Sequence, residues 1–395
     1  MAESAPPLYY STPIPILAPP NSNEFSTNQQ SLLSSNYTIS NDNNKEVSEQ
    51  AMKQLMDQGF TQGLAESLAE SSVNFPLRLW VVDNSGSMQK TDGHLILESS
   101  KQGKVQISNC TRWNEIKEAV TYHINLSSLL EVPTSFRFLN HPGATVGSQQ
   151  FDIVMEGAHT AAADVENAMS IMSRAKPGGC TPLTKHILDI HRTVLSLAPQ
   201  LKATGKRVVI VLATDGLPTD DVGNANASAK QQFTQSLRKL EGLPVWVVIR
   251  LCTDEDDVVD FYNQLDDDLE LNMDVLDDFC GEASEVYEHN SWLNYALPLH
   301  RMREMGFHDR LFDMLDERPL TKGELREFCV LLFGIKKSDG IPDPSIDWKG
   351  FLSDIERLLK DESQQWNPMK KKVSPWISVN KLKKKYGTSS SCSIM

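Results

Sequence analysis

Residues 77–87 read LRLWVVDNSGS: six residues dominated by apolar and β-branched side chains, then an abrupt polar turn. A short continuous apolar run of this kind predicts a strand buried on both faces, and residues 208–213 (VVIVLA) and 245–251 (VWVVIRL) repeat it. Between these runs the rhythm changes. Residues 113–130 carry apolar side chains at i, i+3 and i+4, and further helices are predicted at 161–172, 182–197 and 277–289. Short strands are predicted at 135–139, 151–155 and 271–276. HLILES and KVQIS flank a turn-forming KQG, which predicts a β-hairpin inserted after the first strand. This alternation over residues 77–290 predicts a doubly wound α/β domain, Rossmann-like, with a mostly parallel sheet and helices on both faces.

The whole chain has 395 residues, too many for one ordinary domain. Hydrophobic residues make up 40% and charged residues 23%, the balance of a soluble globular protein. No apolar run approaches the ~18–20 residues that span a bilayer, and MAESAPPLYY lacks a basic n-region and an apolar core; secretion and membrane insertion are not expected. Cys110, Cys180, Cys252, Cys280, Cys329 and Cys392 include no C-x-x-C pair, so the usual zinc-finger spacings are excluded and a reducing compartment is expected. Seven Lys and no acid follow Glu362, so the last 33 residues carry +7 and leave −21 on the 362 before them, for a net −14. That balance argues against a nucleic-acid partner for the body and sets the tail apart electrostatically.

Outside the α/β stretch, residues 1–47 are Pro-, Ser- and Asn-rich and are expected to be disordered. Residues 48–72 predict two short helices broken at Gly59, docking Leu55, Phe60, Leu64 and Leu68 onto the body. Residues 291–362 predict a helical appendage, with a capping box at Thr321-x-x-Glu324. Residues 363–395 predict an extended basic tail, with Trp376 and Ile377 meeting a lipid interface.

In an open α/β sheet, ligands bind at the C-terminal ends of the strands. Three polar clusters fall there: Asp83-Asn84-Ser85-Gly86-Ser87, Gly179-Cys180-Thr181-Pro182 and Thr214-Asp215-Gly216. All their donors are oxygens, the chemistry of a hard cation such as Mg²⁺. The pattern resembles the metal-ion-dependent adhesion site of von Willebrand factor type A domains, whose D-x-S-x-S matches Asp83, Ser85 and Ser87 and whose distal Thr and Asp match Thr181 and Asp215. The resemblance spans about 77–290. It implies metal coordination through Ser85, Ser87 and Thr181, with Asp83 and Asp215 acting partly through water, and a position left open for a partner's Asp or Glu. The implied cation is Mg²⁺, with Mn²⁺ and Ca²⁺ as alternatives. Two carboxylates alone leave little excess charge to repel an incoming anion.

Enzyme signatures are missing: there is no G-x-x-x-x-G-K-[ST], no H-E-x-x-H and no G-x-S-x-G. The twelve acids of 254–278, with no base among them, are expected to form a solvated face. Asp57-Gln58-Gly59-Phe60 resembles the loop of a ubiquitin-associated domain, and Met305-Gly306-Phe307 repeats its tripeptide, so a ubiquitin-binding adaptor is one alternative. A Mg²⁺-dependent hydrolase is another. The final Cys392-Ser393-Ile394-Met395 has the pattern of a farnesylation box, and the Lys run supplies the second signal that one prenyl chain needs for stable anchoring to anionic lipid. The expected function is thus a non-enzymatic, metal-dependent protein-binding module at the cytoplasmic face of a membrane.

Overall fold

The computed structural model describes residues 37, 47–98, 105–253 and 255–387, and the elements below belong to one compact unit. The disorder expected over 1–47 falls, apart from Tyr37 and Val47, outside the described residues, as does Cys392. Helices α1 (Glu49–Asp57) and α2 (Gln62–Asn74) come first, capped by the side chains of Ser48 and Thr61. Strand β1 (Leu77–Val82) leads into an antiparallel hairpin of β2 (Gly93–Glu98) and β3 (Val105–Cys110). There follow α3 (Arg112–Leu129), β4 (Thr134–Phe138), β5 (Gln150–Ile153), α4 (Ala161–Arg174), α5 (Leu183–Thr204) and β6 (Val208–Thr214). Then come α6 (Ala227–Arg238), β7 (Val245–Leu251), α7 (Asp256–Asp268), β8 (Met273–Leu276) and α8 (Phe279–Asn290). Helices α9 (Leu297–Glu304), α10 (Arg310–Glu317), α11 (Lys322–Phe333) and α12 (Trp348–Leu358) precede a short hairpin, β9 (Gln365–Asn367) with β10 (Lys372–Ser374), and helix α13 (Val379–Tyr386).

Six strands form one sheet in the order β5-β4-β1-β6-β7-β8. Every pairing is parallel except β4 with the edge strand β5. This is the mostly parallel, helix-flanked α/β class expected from the apolar runs. Every residue of β1, β6 and β7 is buried, which is why their sequences are mostly apolar and do not alternate; the charged exceptions, Arg78 and Arg250, are buried against Met305 O and Glu115. Trp80, Val82, Val211 and Val248 share a core with Trp113, Ile116 and Val120 of α3 and Ile171 of α4. After β1 the chain builds outward through β4 and β5, then returns to lay β6 on the other side. The C-terminal ends of β1 and β6 therefore meet at a topological switch point.

Most acids of 254–278 form the solvated face expected, Glu255, Asp256, Asp257, Asp260, Asp266, Asp267, Asp268 and Glu270 being exposed. The stretch also contains α7, which buries Val258, Tyr262 and Leu265 at helical spacing, ahead of the expected strand β8. Several of its acids are engaged: Asp274 pairs with Arg303 at 3.1 Å, and Asp278 caps α8.

A second core holds the helical part together. Leu55, Phe60, Leu64 and Leu68 are buried in the same cluster as Phe279, Phe328 and Leu332. Helix α2 crosses α11 closely enough that a Cβ on Gly63 would stand 2.2 Å from Gly334 N. Met305-Gly306-Phe307 is also structural: Gly306 has φ +83°, and a Cβ there would lie 2.4 Å from Val209 Cγ1 of β6. Arg78, fully buried in β1, donates through Nε to Met305 O at 3.1 Å and so places a cation at the C-terminus of α9. Beside it, Glu304 accepts from Arg301 at 2.8 Å and meets His123 at 3.1 Å, joining α9 to α3.

The basic segment is not a free extended tail. Trp376 and Ile377 are 1% exposed and Leu382 is fully buried, all within the helical core. Asn294 N donates to Trp376 O and Ser378 N to Trp292 O, both at 2.8 Å, and Lys381 Nζ donates to Tyr287 Oη at 2.9 Å. Large aromatic and aliphatic side chains gain more by burial here than the neighbouring Lys lose, because Lys heads stay at the surface. No helix among the described residues is long and apolar enough to cross a membrane.

Candidate metal centre

Strand β1 ends at Val82, which lies opposite Ala213 of β6, so Asp83 emerges beside Thr214, one residue before Asp215. Asp83 N still donates to Ala213 O at 2.8 Å, extending the ladder by one step. The chain then turns. Ser85 N donates to Asp83 Oδ1 at 2.7 Å, an Asx-type turn that swings Ser85 and Ser87 back across the strand ends. Thr214 Oγ1 donates to Asp83 Oδ2 at 2.7 Å. Gly178 N and Asn84 O (2.7 Å), and Gly86 N and Gly179 O (3.0 Å), tie the turn to the loop that carries Thr181.

The five expected residues converge. Ser85 Oγ and Ser87 Oγ share a hydrogen bond of 2.9 Å, and Ser87 Oγ donates to Asp215 Oδ1 at 2.8 Å. A Cβ placed on Gly216 would lie 3.8 Å from Thr181 Oγ1 and 3.9 Å from Ser87 Oγ, so both hydroxyls flank one spot. Thr181 is held by Thr219, through Thr181 N to Thr219 Oγ1 and Thr219 N to Thr181 O, each at 3.0 Å. Neighbouring Cys180 packs its sulfur toward Gly223.

Electrostatically the pair of acids is poised for a cation. Burial first, then the charge of Asp215, pushes the Asp83 carboxyl up to about 6, against the bonds from Thr214 and Ser85. Burial also raises Asp215, opposed by Ser87 and Arg112. The donor set, two carboxylates and three hydroxyls, all oxygen, fits a small hard ion.

No motif pointed to Arg112. It is 1% exposed, and its Nη1 donates to Asp215 Oδ2 at 3.1 Å while Nε and Nη2 hold Asp92 at 2.7 and 2.5 Å and Nη2 reaches Glu255 at 2.6 Å. Lys90 pairs with Glu255 at the rim. The only advance signal was the position of Arg112 next to the cap Thr111 at the start of α3.

Another carboxylate group, Glu282, Glu285 and Asp316, brings ligand oxygens within 4.8 Å of one another. Arg303 already sits among them, paired with Glu282 and with Asp316 at 3.2 Å. The guanidinium supplies the positive charge that a metal would otherwise bring.

No family model matches the sequence, and no curated protein matches it. Among solved structures, the chain is similar to an aspartate-to-alanine mutant of the PilB minor pilin from Streptococcus sanguinis, with 12% identity, 51% of this chain and 57% of that chain covered, and a TM-score of 0.34. The PilB minor pilin from Streptococcus sanguinis itself gives 14% identity, 52% and 57% coverage and a TM-score of 0.31. The chain thus spans a little over half the length of these pilins.

Proposed function

We propose that this protein is a metal-dependent protein-binding module of the von Willebrand factor type A kind, without enzymatic activity. The observation that carries the reading is the convergence of Ser85, Ser87 and Asp215 in one hydroxyl–carboxylate chain, with Thr181 Oγ1 beside it, at the switch point of the sheet. Asp83, Ser85, Ser87, Thr181 and Asp215 would hold the ion. A bound divalent cation would offer a Lewis-acidic position to a partner's Asp or Glu. The chain's own part is to pre-orient its oxygens, four following β1 and β6 and that of Thr181 on the loop between α4 and α5, not at a strand end as expected, so that little ordering remains when ion and partner arrive. Calorimetry with Mg²⁺ and Mn²⁺ on wild type and Asp83→Ala tests the site, and recovery of a protein partner that requires both the metal and Asp83 tests the function. Indistinguishable titrations of the two proteins would refute the reading.

The same reading puts the module at a cytoplasmic membrane face through farnesylated Cys392. With Trp376 and Ile377 in the core, the lipid interaction falls to the prenyl group and to surface Lys side chains such as Lys371, Lys372 and Lys384. The intact mass of the protein from cells with active farnesyltransferase checks this; an unmodified Cys392 would remove the anchor.

A further inference from the structure

We infer that Arg112 is the residue that makes this site discriminate against Ca²⁺, by withholding the second oxygen of Asp215. The inference rests on the metal-site reading and names its cation.

Asp215 divides its two oxygens between two partners. Oδ1 accepts from Ser87 Oγ at 2.8 Å and faces the hydroxyl cluster, whereas Oδ2 accepts from Arg112 Nη1 at 3.1 Å. The guanidinium has no freedom to leave. It is buried, its other nitrogens are held by Asp92 and Glu255, and Nη1 also reaches Asp215 O at 3.4 Å. Burial works against its charge, but Asp92, Glu255 and Asp215 together keep it protonated. A planar fork with five donors serves three carboxylates at once, which an ammonium cannot do. The oxygens of Asp83 are each held by one donor: Oδ1 takes Ser85 N and Oδ2 takes Thr214 Oγ1, each at 2.7 Å.

A carboxylate oxygen that accepts one hydrogen bond keeps a second lone pair, but the buried Arg112 charge fixed beside Oδ2 repels a cation there, so Asp215 meets the ion through Oδ1 alone. Ca²⁺ takes 6–8 oxygens at about 2.3–2.6 Å and draws on bidentate carboxylates, whereas Mg²⁺ takes six at about 2.0–2.1 Å and keeps several waters. A site limited to single carboxylate oxygens and hydroxyls suits the smaller ion. Octahedral Mn²⁺ passes the same filter.

Calorimetric titration of the full chain with Mg²⁺ alone and Ca²⁺ alone, for wild type and Arg112→Met, tests this. Wild type should bind Mg²⁺ more tightly than Ca²⁺. In Arg112→Met, Oδ2 is released and the ratio of the Ca²⁺ Kd to the Mg²⁺ Kd should fall by about tenfold, the scale of one charge-assisted contact. Arg112→Lys, which keeps the charge and loses the fork, should give an intermediate ratio, and it serves alone if circular dichroism shows Arg112→Met unfolded. A folded variant with the wild-type ratio overturns the inference and leaves the site intact. An equal loss for both cations, the mark of a merely disordered site, also overturns it. A wild type that binds neither cation removes the site reading and the inference together.

Discussion

Ser87 Oγ donates to Asp215 Oδ1 at 2.8 Å although 128 positions separate the two residues. The pairing of Val82 with Ala213 in adjacent parallel strands places their successors at one sheet edge, and the Asx turn after Asp83 brings Ser87 across to meet Asp215. The predictions on metal binding follow from this contact.

Asp83 contributes a charge and Ser87 a neutral donor. Asp83→Ala should therefore weaken Mg²⁺ binding by about 2 kcal/mol or more, and Ser87→Ala by about 1 kcal/mol. Calorimetry on the two single variants checks the order; a larger effect from Ser87→Ala would contradict the proposed division of roles.

Without a cation, two buried carboxylates repel each other. Asp83→Asn keeps the shape and removes one charge, so in EDTA it should melt no lower than wild type. Mg²⁺ at about a hundredfold excess over the wild-type Kd should then stabilise wild type by about 2.7 kcal/mol and Asp83→Asn by under about 1 kcal/mol. Thermal melts with and without Mg²⁺ decide it, and equal gains in both proteins would count against a metal at Asp83.

Phe60 and Trp376 are 4% and 1% exposed in the helical core. Each, changed to Ala, should cost about 3–5 kcal/mol in urea unfolding, the range for large buried aromatics. Removal of residues 1–45 should leave the melting temperature in place, whereas removal of 1–72 should lower it. Lys383, in an exposed pair with Glu356, should cost under about 1 kcal/mol when changed to Ala. A stable Trp376→Ala protein would restore the detachable tail.

Asp278 accepts from Cys280 N and Gly281 N at 2.7 Å each and meets His94 Nδ1 at 2.6 Å. Burial alone would raise its pKa, but the His94 bond, the Gly281 N–H and the charge of Arg250 hold it well below the ordinary carboxylate range. A depressed folded-state pKa gives stability that is present above the unfolded value of about 3.9 and is lost as the pH falls through the folded value. Wild type should thus lose more stability between pH 7 and pH 3 than Asp278→Asn does. Urea titrations at the two pH values test this; equal losses would mean that Asp278 is not the linked group.

Some elements were legible because their physics is local. A strand buried on both faces reads as a near-continuous apolar run, and β1, β6 and β7 do so apart from the buried Arg78, Thr214 and Arg250. Helices α6 and α7 were not legible, since each buries only a few apolar side chains among many polar ones: Phe233 and Leu237 in one, Val258, Tyr262 and Leu265 in the other. In the basic segment seven Lys dominated the composition, yet placement was decided by Trp376, Ile377 and Leu382, which find partners contributed by α8, α11 and the chain between them.

By itself the sequence determined the turn that starts at Asp83. Strand-end geometry and an Asx turn act over a few residues, so Asp83, Ser85 and Ser87 meet wherever β1 lies. Which oxygen of Asp215 faces Ser87 and which faces Arg112 was decided only by the tertiary structure. That choice depends on the register of β1 against β6, set by side chains more than a hundred positions apart, and on where α3 docks in the core it shares with both strands.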